Sequence, residues 1–143
     1  MSVEIKTLNR NDAQLLNNVA PSLFDKPINS VLCIEFLNDP RHHIVVAIER
    51  GVVVGFVSAV HYIHPDKPVE LWINEVSVAP EYRRRDIAKD LLRSMFGVGS
   101  KLGCKEAWVL TDRSNIAGMK TYSSVGGEEY NKEMTMFTFH LDK

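Results

Sequence analysis

The chain has 143 residues, and its 17 basic and 18 acidic side chains leave a formal net charge of −1. A chain of this length is expected to form one domain over residues 1–143 that buries about two thirds of its unfolded surface, without a disulfide or structural metal. The near-zero net charge excludes general binding to nucleic acid or to anionic membranes through a basic surface.

The N-terminus and the cysteines indicate a cytoplasmic protein. Residues 1–6 contain no apolar core segment, which predicts that no secretory signal is present. The longest nearly apolar run, residues 52–60, is far shorter than the roughly 18 residues of a membrane helix. Cys33 and Cys104 do not form a Cys-x-x-Cys pattern, so we expect two reduced thiols.

Hydrophobic periodicity predicts the secondary-structure elements along the chain. In chain order they are a strand at 3–8, a helix that begins at Asn9 or Asn11 and ends before Pro21, a helix at 28–37, strands at 43–48, 52–62 and 70–78, a helix that follows the break at 79–81 and ends at Gly103, a strand at 106–110, a helix at 115–125 and a strand at 133–141. The order β-α-α-β-β-β-α-β-α-β-β predicts an α/β fold. We expect a mixed, mostly antiparallel sheet of six to seven strands with helices on both faces.

The clearest helical signal follows a proline break after the strand at 70–78. Apolar side chains recur there at spacings of four, four, three and four, which places them on one helix face: Ile87, Leu91, Met95, Val98 and Leu102. Residues 83–93 carry five basic and two acidic side chains, a local net charge of +3. A helix N-terminus and nearby arginines are both suited to binding a phosphate group, although a charged turn is by itself more often a solvated surface.

Two motifs make a family resemblance specific. The first consists of Val78, Pro80, Arg83, Asp86 and Ala88, and it resembles the pyrophosphate-binding signature of the GNAT N-acetyltransferase superfamily, usually Arg/Gln-x-x-Gly-x-Gly/Ala. The second consists of Asn115, Ala117, Tyr122 and Gly126, and it is similar to the fourth-helix motif of that family. The flanking segments look most like those of aminoglycoside 3-N-acetyltransferase-type members.

The resemblance implies acetyl-CoA as acyl donor, with no metal, and assigns residues to it. The backbone of Val76, Ser77 and Val78 would pair with the pantetheine arm. The backbone N–H groups of Arg84, Arg85, Asp86, Ile87, Ala88 and Lys89 would hold the pyrophosphate, with Arg83 supporting the turn. Asn115 matches a position that contacts the cofactor arm.

The resemblance also implies catalytic roles for Glu75 and Tyr122. Glu75 occupies a position where many relatives carry a general base, which acts directly or through water on the amine nucleophile. The N–H of Val76 is our candidate donor to the oxyanion. Tyr122 matches the residue that protonates the departing thiolate, and it is therefore also expected to contact the cofactor. The alternatives are a solvent-facing strand carboxylate for Glu75 and a packed helix aromatic for Tyr122.

Asp86 departs from the family pattern, because the usual residue there is glycine. Glycine lets the backbone approach the pyrophosphate, whereas aspartate adds a negative charge beside it. Aspartate also suits the first turn of a helix, and basic neighbours can neutralise it. We expect acetyl-CoA binding that is weaker than in a glycine-bearing relative but not lost.

The sequence gives the least information about the acceptor site, because variable loops form that site in this fold. Candidate residues are Tyr62, Asp66, Trp72 and Asp112, and the carboxylates favour a small cationic amine, with an aminoglycoside as the leading substrate. A polyamine, an amino-acid derivative and a protein amine stay as alternatives, as does a weakly catalytic CoA-binding module. His61-x-x-His64 lacks further ligand-type neighbours and does not indicate a metal site. Family members are commonly dimers, so a homodimer is the expected assembly.

Overall fold

A computed structural model describes residues 2–142 of the chain. The strands are β1 (Glu4–Thr7), β2 (His42–Glu49), β3 (Val52–Tyr62), β4 (Glu70–Val78) and β5 (Ala107–Val109), and the α-helices are α1 (Ser30–Asn38), α2 (Ile87–Leu102) and α3 (Ile116–Ser124). Short 3-10 helices cover Ala13–Asn17 and Pro80–Tyr82. Within this range no helix is both long and apolar enough to cross a lipid bilayer.

The sheet is mixed and mostly antiparallel, as predicted. Its strand order is β1-β2-β3-β4-β5, in which the first three pairs are antiparallel and only β4 and β5 are parallel. The expected six to seven strands, and with them the order β-α-α-β-β-β-α-β-α-β-β, are wrong for residues 2–142, which contain five. This difference arises at the C-terminal end of the chain.

Residues 133–141, which we expected to form a final strand, adopt no strand or helix and pair with no strand. Their large apolar side chains are exposed: Met134, Met136, Phe137, Phe139 and Leu141. An alternating pattern shows that a segment can cover a sheet face, but a strand also needs a neighbouring edge to accept its backbone hydrogen bonds. The pattern does not identify that edge, which explains the incorrect prediction.

The first predicted helix is instead the short 3-10 helix Ala13–Asn17. The polar side chains before it bind local backbone groups and form a turn: the Asn9 N–H donates to Asp12 Oδ2, and the Asn11 N–H donates to Asn9 Oδ1, both at 2.8 Å. Such local bonds compete with helix formation. Neither Asn9 nor Asn11 therefore caps a helix.

Helices lie on both faces of the sheet, as predicted. The α2 face packs sheet residues such as Val45 and Val57 against Leu91 and Met95. The opposite face, here called the α1 face, packs residues such as Phe56 against α1 and residues 15–28. Gly55 permits the close approach of α2, since a Cβ there would lie 3.3 Å from Leu91 Cδ1. This contact brings the start of α2 beside the end of β4.

Candidate functional site

Strands β4 and β5 separate part of the way along their length. They pair at Leu71 with Ala107, Trp72 with Trp108, and Ile73 with Val109, where β5 ends. Strand β4 continues to Val78, paired with β3. Within residues 2–142, no second strand borders β4 from position 74 onward. The second half of β4 therefore presents an open edge to any extended ligand.

The register shows which backbone groups lie on this open edge. The Ala79 N–H donates to Val54 O at 2.8 Å, which makes the neighbouring pair Gly55 and Val78 a non-hydrogen-bonded one. The N–H and C=O groups of successive residues point to opposite sides of a strand, so those of Val76 and Val78 point to the open edge. Ser77 directs its own toward β3, and its hydroxyl donates to Leu23 O at 2.9 Å. Of the three predicted pantetheine contacts, only the two valines have the required backbone orientation.

The arginine turn follows directly from this edge. Arg83 Nε donates to the carbonyl oxygen of Val78 at 3.0 Å, and Arg83, Arg84 and Arg85 are all exposed. Arg84 has φ +64° and Asp86 has φ +62°, a backbone conformation that favours glycine. Helix α2 then begins at Ile87, so the unpaired N–H groups of its first turn follow the three arginines directly along the chain. Ala88 and Lys89 belong to this turn and are half-buried.

Glu75 lies on β4 opposite Ser58, on the α1 face of the sheet. The Glu75 side chain is exposed, yet desolvation by the groups around it raises the pKa of its carboxyl above the ordinary value, and the negative charge of Asp25 raises it further. Asp25 belongs to the segment between Ala20 and α1, which is held over the sheet by the Ala20 N–H donating to Val53 O at 2.8 Å. A carboxylate with a raised pKa is closer to the proton affinity that a general base needs at neutral pH.

Asp25 is not among the residues predicted from the sequence, because no motif surrounds it and only the folded path of the chain brings it near Glu75. It also lines an open cleft of about 440 Å³ beside that segment, together with Phe24 and Lys26. Phe24 stacks on Phe56 with ring centroids 4.0 Å apart. The pair of carboxylates makes this side of the sheet favourable for a positively charged ligand.

Two of the four predicted acceptor residues share the α1 face with Glu75. Trp72 stacks on Trp108, with centroids 4.8 Å apart and ring planes 9° apart, and Trp108 is 37% exposed. Tyr62 lies at the end of β3 and contacts His64 edge-on. The two predicted carboxylates lie elsewhere. Asp66 is in an exposed loop beside Lys67, and the carbonyl of the exposed Asp112 accepts the Asn115 N–H at 2.9 Å.

Tyr122 lies on α3 and Asn115 caps its N-terminus, and the two residues have different surroundings. Tyr122 is half-buried against the core of the α2 face, and burial raises the pKa of its phenol above the ordinary value. It is therefore protonated at neutral pH and able to donate a proton or hydrogen bond. Asn115 caps the helix: its Oδ1 accepts the Gly118 N–H at 3.1 Å, and its Nδ2 donates to Thr111 Oγ1 at 3.0 Å.

The histidines form two separate pairs. His43 Nε2 lies 2.7 Å from His61 Nδ1, and burial together with the neighbouring histidines lowers the pKa of His43 to about 4. His64 Nε2 lies 2.8 Å from Glu70 Oε1. Among residues 2–142, no group of three or more His, Cys, Asp or Glu side chains is arranged to hold a metal ion.

Comparison with known proteins gives matches over most of the chain. The sequence pattern of the "Acetyltransferase (GNAT) family" matches residues 13–126. The chain is 31% identical over 126 residues to the N-alpha-acetyltransferase RimI of Mycobacterium tuberculosis, covering 87% of this chain and 77% of that relative. It is 28% identical over 88 residues to the aminoglycoside N(6′)-acetyltransferase type 1 of Salmonella typhimurium, covering 59% of this chain and 61% of that relative.

The fold is also found among solved structures. The aminoglycoside N-acetyltransferase AAC(6′)-Iy in complex with CoA superposes with a TM-score of 0.76 at 21% identity, over 96% of this chain and 95% of that one. This similarity concerns the fold. The chain spans about three fifths of the length of the Salmonella relative. The aminoglycoside relatives named here are of the 6′ type, and not of the 3-N type suggested by the flanking segments.

Proposed function

This chain belongs to the GNAT family of acetyltransferases, and we propose that it transfers the acetyl group of acetyl-CoA to a primary amine of a small cationic acceptor. The observation that carries the proposal is the continuity of the open β4 edge, the arginine turn and the start of α2. Acetyl-CoA has an extended polar arm that ends in a pyrophosphate. The backbone groups of the open β4 edge suit the arm, and the N–H groups of the α2 start, together with the arginine guanidinium groups, suit the pyrophosphate. We treat residues 1–143 as one such domain.

The backbone of Val76 and Val78 binds the pantetheine arm in this proposal. The carbonyl of Val78 already accepts Arg83 Nε, so its N–H is the group available to the donor. Arg84, Arg85 and the N–H groups from Asp86 to Lys89 bind the pyrophosphate. The positive φ of Arg84 and Asp86 supports this assignment, because it turns successive N–H groups toward one side.

The reaction is direct attack in a ternary complex. Glu75 removes a proton from the acceptor ammonium, and the free amine forms a bond to the thioester carbonyl carbon. The Val76 N–H stabilises the resulting oxyanion, the carbon–sulfur bond breaks, and Tyr122 protonates the departing thiolate to give CoA. The acylated nitrogen then loses its second proton, which returns to the Tyr122 phenolate through solvent, and the product is a neutral amide. The raised pKa of Glu75 and the protonated Tyr122 support these roles.

An aminoglycoside is the acceptor that we propose first. Asp25 and Glu75 supply negative charge, and the stacked Trp72 and Trp108 supply a flat apolar surface on the same face of the sheet. Polycationic sugars with apolar ring faces satisfy both features. The longer match to a protein N-alpha-acetyltransferase supports a protein amine as the second acceptor class.

Release of CoA thiol, measured with a panel of amines, tests the activity. The panel contains an aminoglycoside, a polyamine, a free amino acid and a peptide with a free N-terminus. We expect the aminoglycoside to give the highest kcat/KM and Glu75→Gln to lower kcat by about 10²–10⁴-fold. Glu4→Gln, an exposed carboxylate on the far edge of the sheet, is the matched control. Measurable CoA binding without turnover of any amine would reject the enzymatic activity and indicate a CoA-binding module.

A homodimer and a cytoplasmic location belong to the same proposal. The exposed apolar side chains of residues 130–141 support self-association, since a monomer rarely exposes so many in one segment. The free thiols of Cys33 and Cys104 fit a reducing compartment. Light scattering at several protein concentrations tests the dimer, and a monomeric mass at all of them would reject it.

A further inference from the structure

Glu49 is a buried carboxylate that the proposed reaction does not use. It ends β2 and is 7% exposed. The hydroxyl of Tyr82 donates a hydrogen bond to its Oε1. Its Oε2 is buried and has no hydrogen-bond partner among residues 2–142. An unsatisfied buried carboxylate oxygen lowers stability, so folding alone does not explain an acid at this position.

Tyr82 connects Glu49 to the arginine turn. It is the last residue of the 3-10 helix Pro80–Tyr82, and its N–H donates to Ala79 O at 2.9 Å. The guanidinium carbon of Arg85 lies 5.0 Å from the centroid of the Tyr82 ring. The Glu49 carboxylate, the Tyr82 phenol and the Arg85 guanidinium thus form a continuous network of contacts from the core to the exposed turn.

The two contacts of this network strengthen each other electrostatically. A carboxylate that accepts a hydrogen bond from a phenol increases the electron density of the ring, which strengthens its attraction for a cation. The bond to Glu49 is the main cause that raises the pKa of Tyr82 above its ordinary value, so the phenol remains the donor across the working pH range. Arg85 is otherwise an exposed, flexible side chain, and the ring restricts where its guanidinium lies.

We propose that Glu49 is a positioning residue of the donor site, which holds Tyr82 and, through the Tyr82 ring, places Arg85 to bind the pyrophosphate of CoA. The inference rests on the proposed function. It predicts an effect on donor binding and none on the chemical step, because the contacts of Glu49 and Tyr82 lead to the arginine turn. A purely structural role would change stability without this selectivity.

Calorimetric titration with CoA tests the proposal directly. We expect Tyr82→Phe, which keeps the ring but removes the hydroxyl, to raise the Kd for CoA by about three- to tenfold. Glu49→Leu should raise it similarly, and Glu49→Gln, which keeps an acceptor oxygen, should raise it less. In each variant kcat at saturating acetyl-CoA should equal that of the wild type. Tyr130→Phe, at a 92% exposed tyrosine, and Glu4→Gln, at an exposed glutamate on the far edge of the sheet, are the controls.

A double-mutant cycle with Arg85→Ala separates positioning from general loosening of the turn. If Glu49 and Tyr82 act through Arg85, adding Tyr82→Phe to Arg85→Ala should not raise the Kd further. Additive effects, or an unchanged Kd in Tyr82→Phe, would overturn the inference. Failure of the wild type to bind CoA would instead reject the proposed function. Tyr82→Phe is isosteric within the turn, so it keeps the test valid if Glu49→Leu does not fold.

Discussion

Asp86 stands before the first residue of α2 with its carboxylate oxygen 3.3 Å from the ammonium nitrogen of Lys89. The ion pair is exposed on the aspartate side, so it neutralises the negative charge only in part. The backbone of Asp86 has φ +62°, the conformation for which the family signature uses glycine. The unusual residue therefore brings both a charge and backbone strain to the pyrophosphate site.

Replacing Asp86 with glycine should improve donor binding and stability together. Asp86→Gly removes the left-handed strain and should raise the free energy of unfolding by up to about 1 kcal/mol. Removing the carboxylate should tighten CoA binding about fivefold, the effect of one charge at short range in water. Chemical denaturation and calorimetric titration measure the two effects.

Asp90→Gly is the matched control, because Asp90 lies inside α2 with helical backbone geometry. Glycine there should lower stability by about 0.5–1 kcal/mol. Equal CoA affinities for the wild type and Asp86→Gly would contradict the idea that the carboxylate opposes the pyrophosphate.

The acid limb of the pH profile should depend on Asp25. Activity requires ionised Glu75, so kcat/KM rises with pH through the raised pKa of that carboxyl. Asp25→Asn removes a negative charge that raises this pKa, so the pKa falls and the limb shifts to lower pH. Profiles of log kcat/KM measure the shift. Asp142→Asn, at an exposed C-terminal position, should leave it in place, and an unmoved limb in Asp25→Asn would exclude the coupling.

Loss of the Tyr122 hydroxyl should affect turnover but not donor binding. Tyr122→Phe keeps the ring packed against the α2-face core and should lower kcat by about 10²-fold. The Kd for CoA should stay within experimental error. A thioester donor with a more acidic thiol should show a smaller loss, because its leaving group needs less protonation. Wild-type kcat in Tyr122→Phe would remove the phenol from the mechanism.

Asn115 should contribute to stability through its cap. Asn115→Ala leaves the Gly118 N–H without its acceptor and should lower the free energy of unfolding by about 1 kcal/mol. Asn115→Asp keeps an acceptor oxygen and should retain most of that stability. Thermal denaturation of the two variants separates capping from the predicted contact with the cofactor arm. Equal stability of Asn115→Ala and the wild type would show that the cap is not needed.

Local patterns in the sequence were sufficient for the elements that carry the donor site. The predicted ranges of β3 and β4 coincide with the observed Val52–Tyr62 and Glu70–Val78, and the predicted apolar stripe from Ile87 to Leu102 lies along the observed α2. Apolar periodicity determines such elements because it decides which side of each one is buried. The arginine turn was located in the same way, between the end of a strand and the start of an apolar stripe.

Contacts between distant segments were decided only by the tertiary structure. Pairing of β4 with β5 ends at Ile73 and Val109, Asp25 comes close to Glu75, and Glu49 binds Tyr82 across 33 positions. Residues 133–141 show the converse, since a strand pattern without a partner edge forms no strand. Periodicity specifies how each segment is buried, whereas neighbours, register and charge coupling depend on the path of the whole chain.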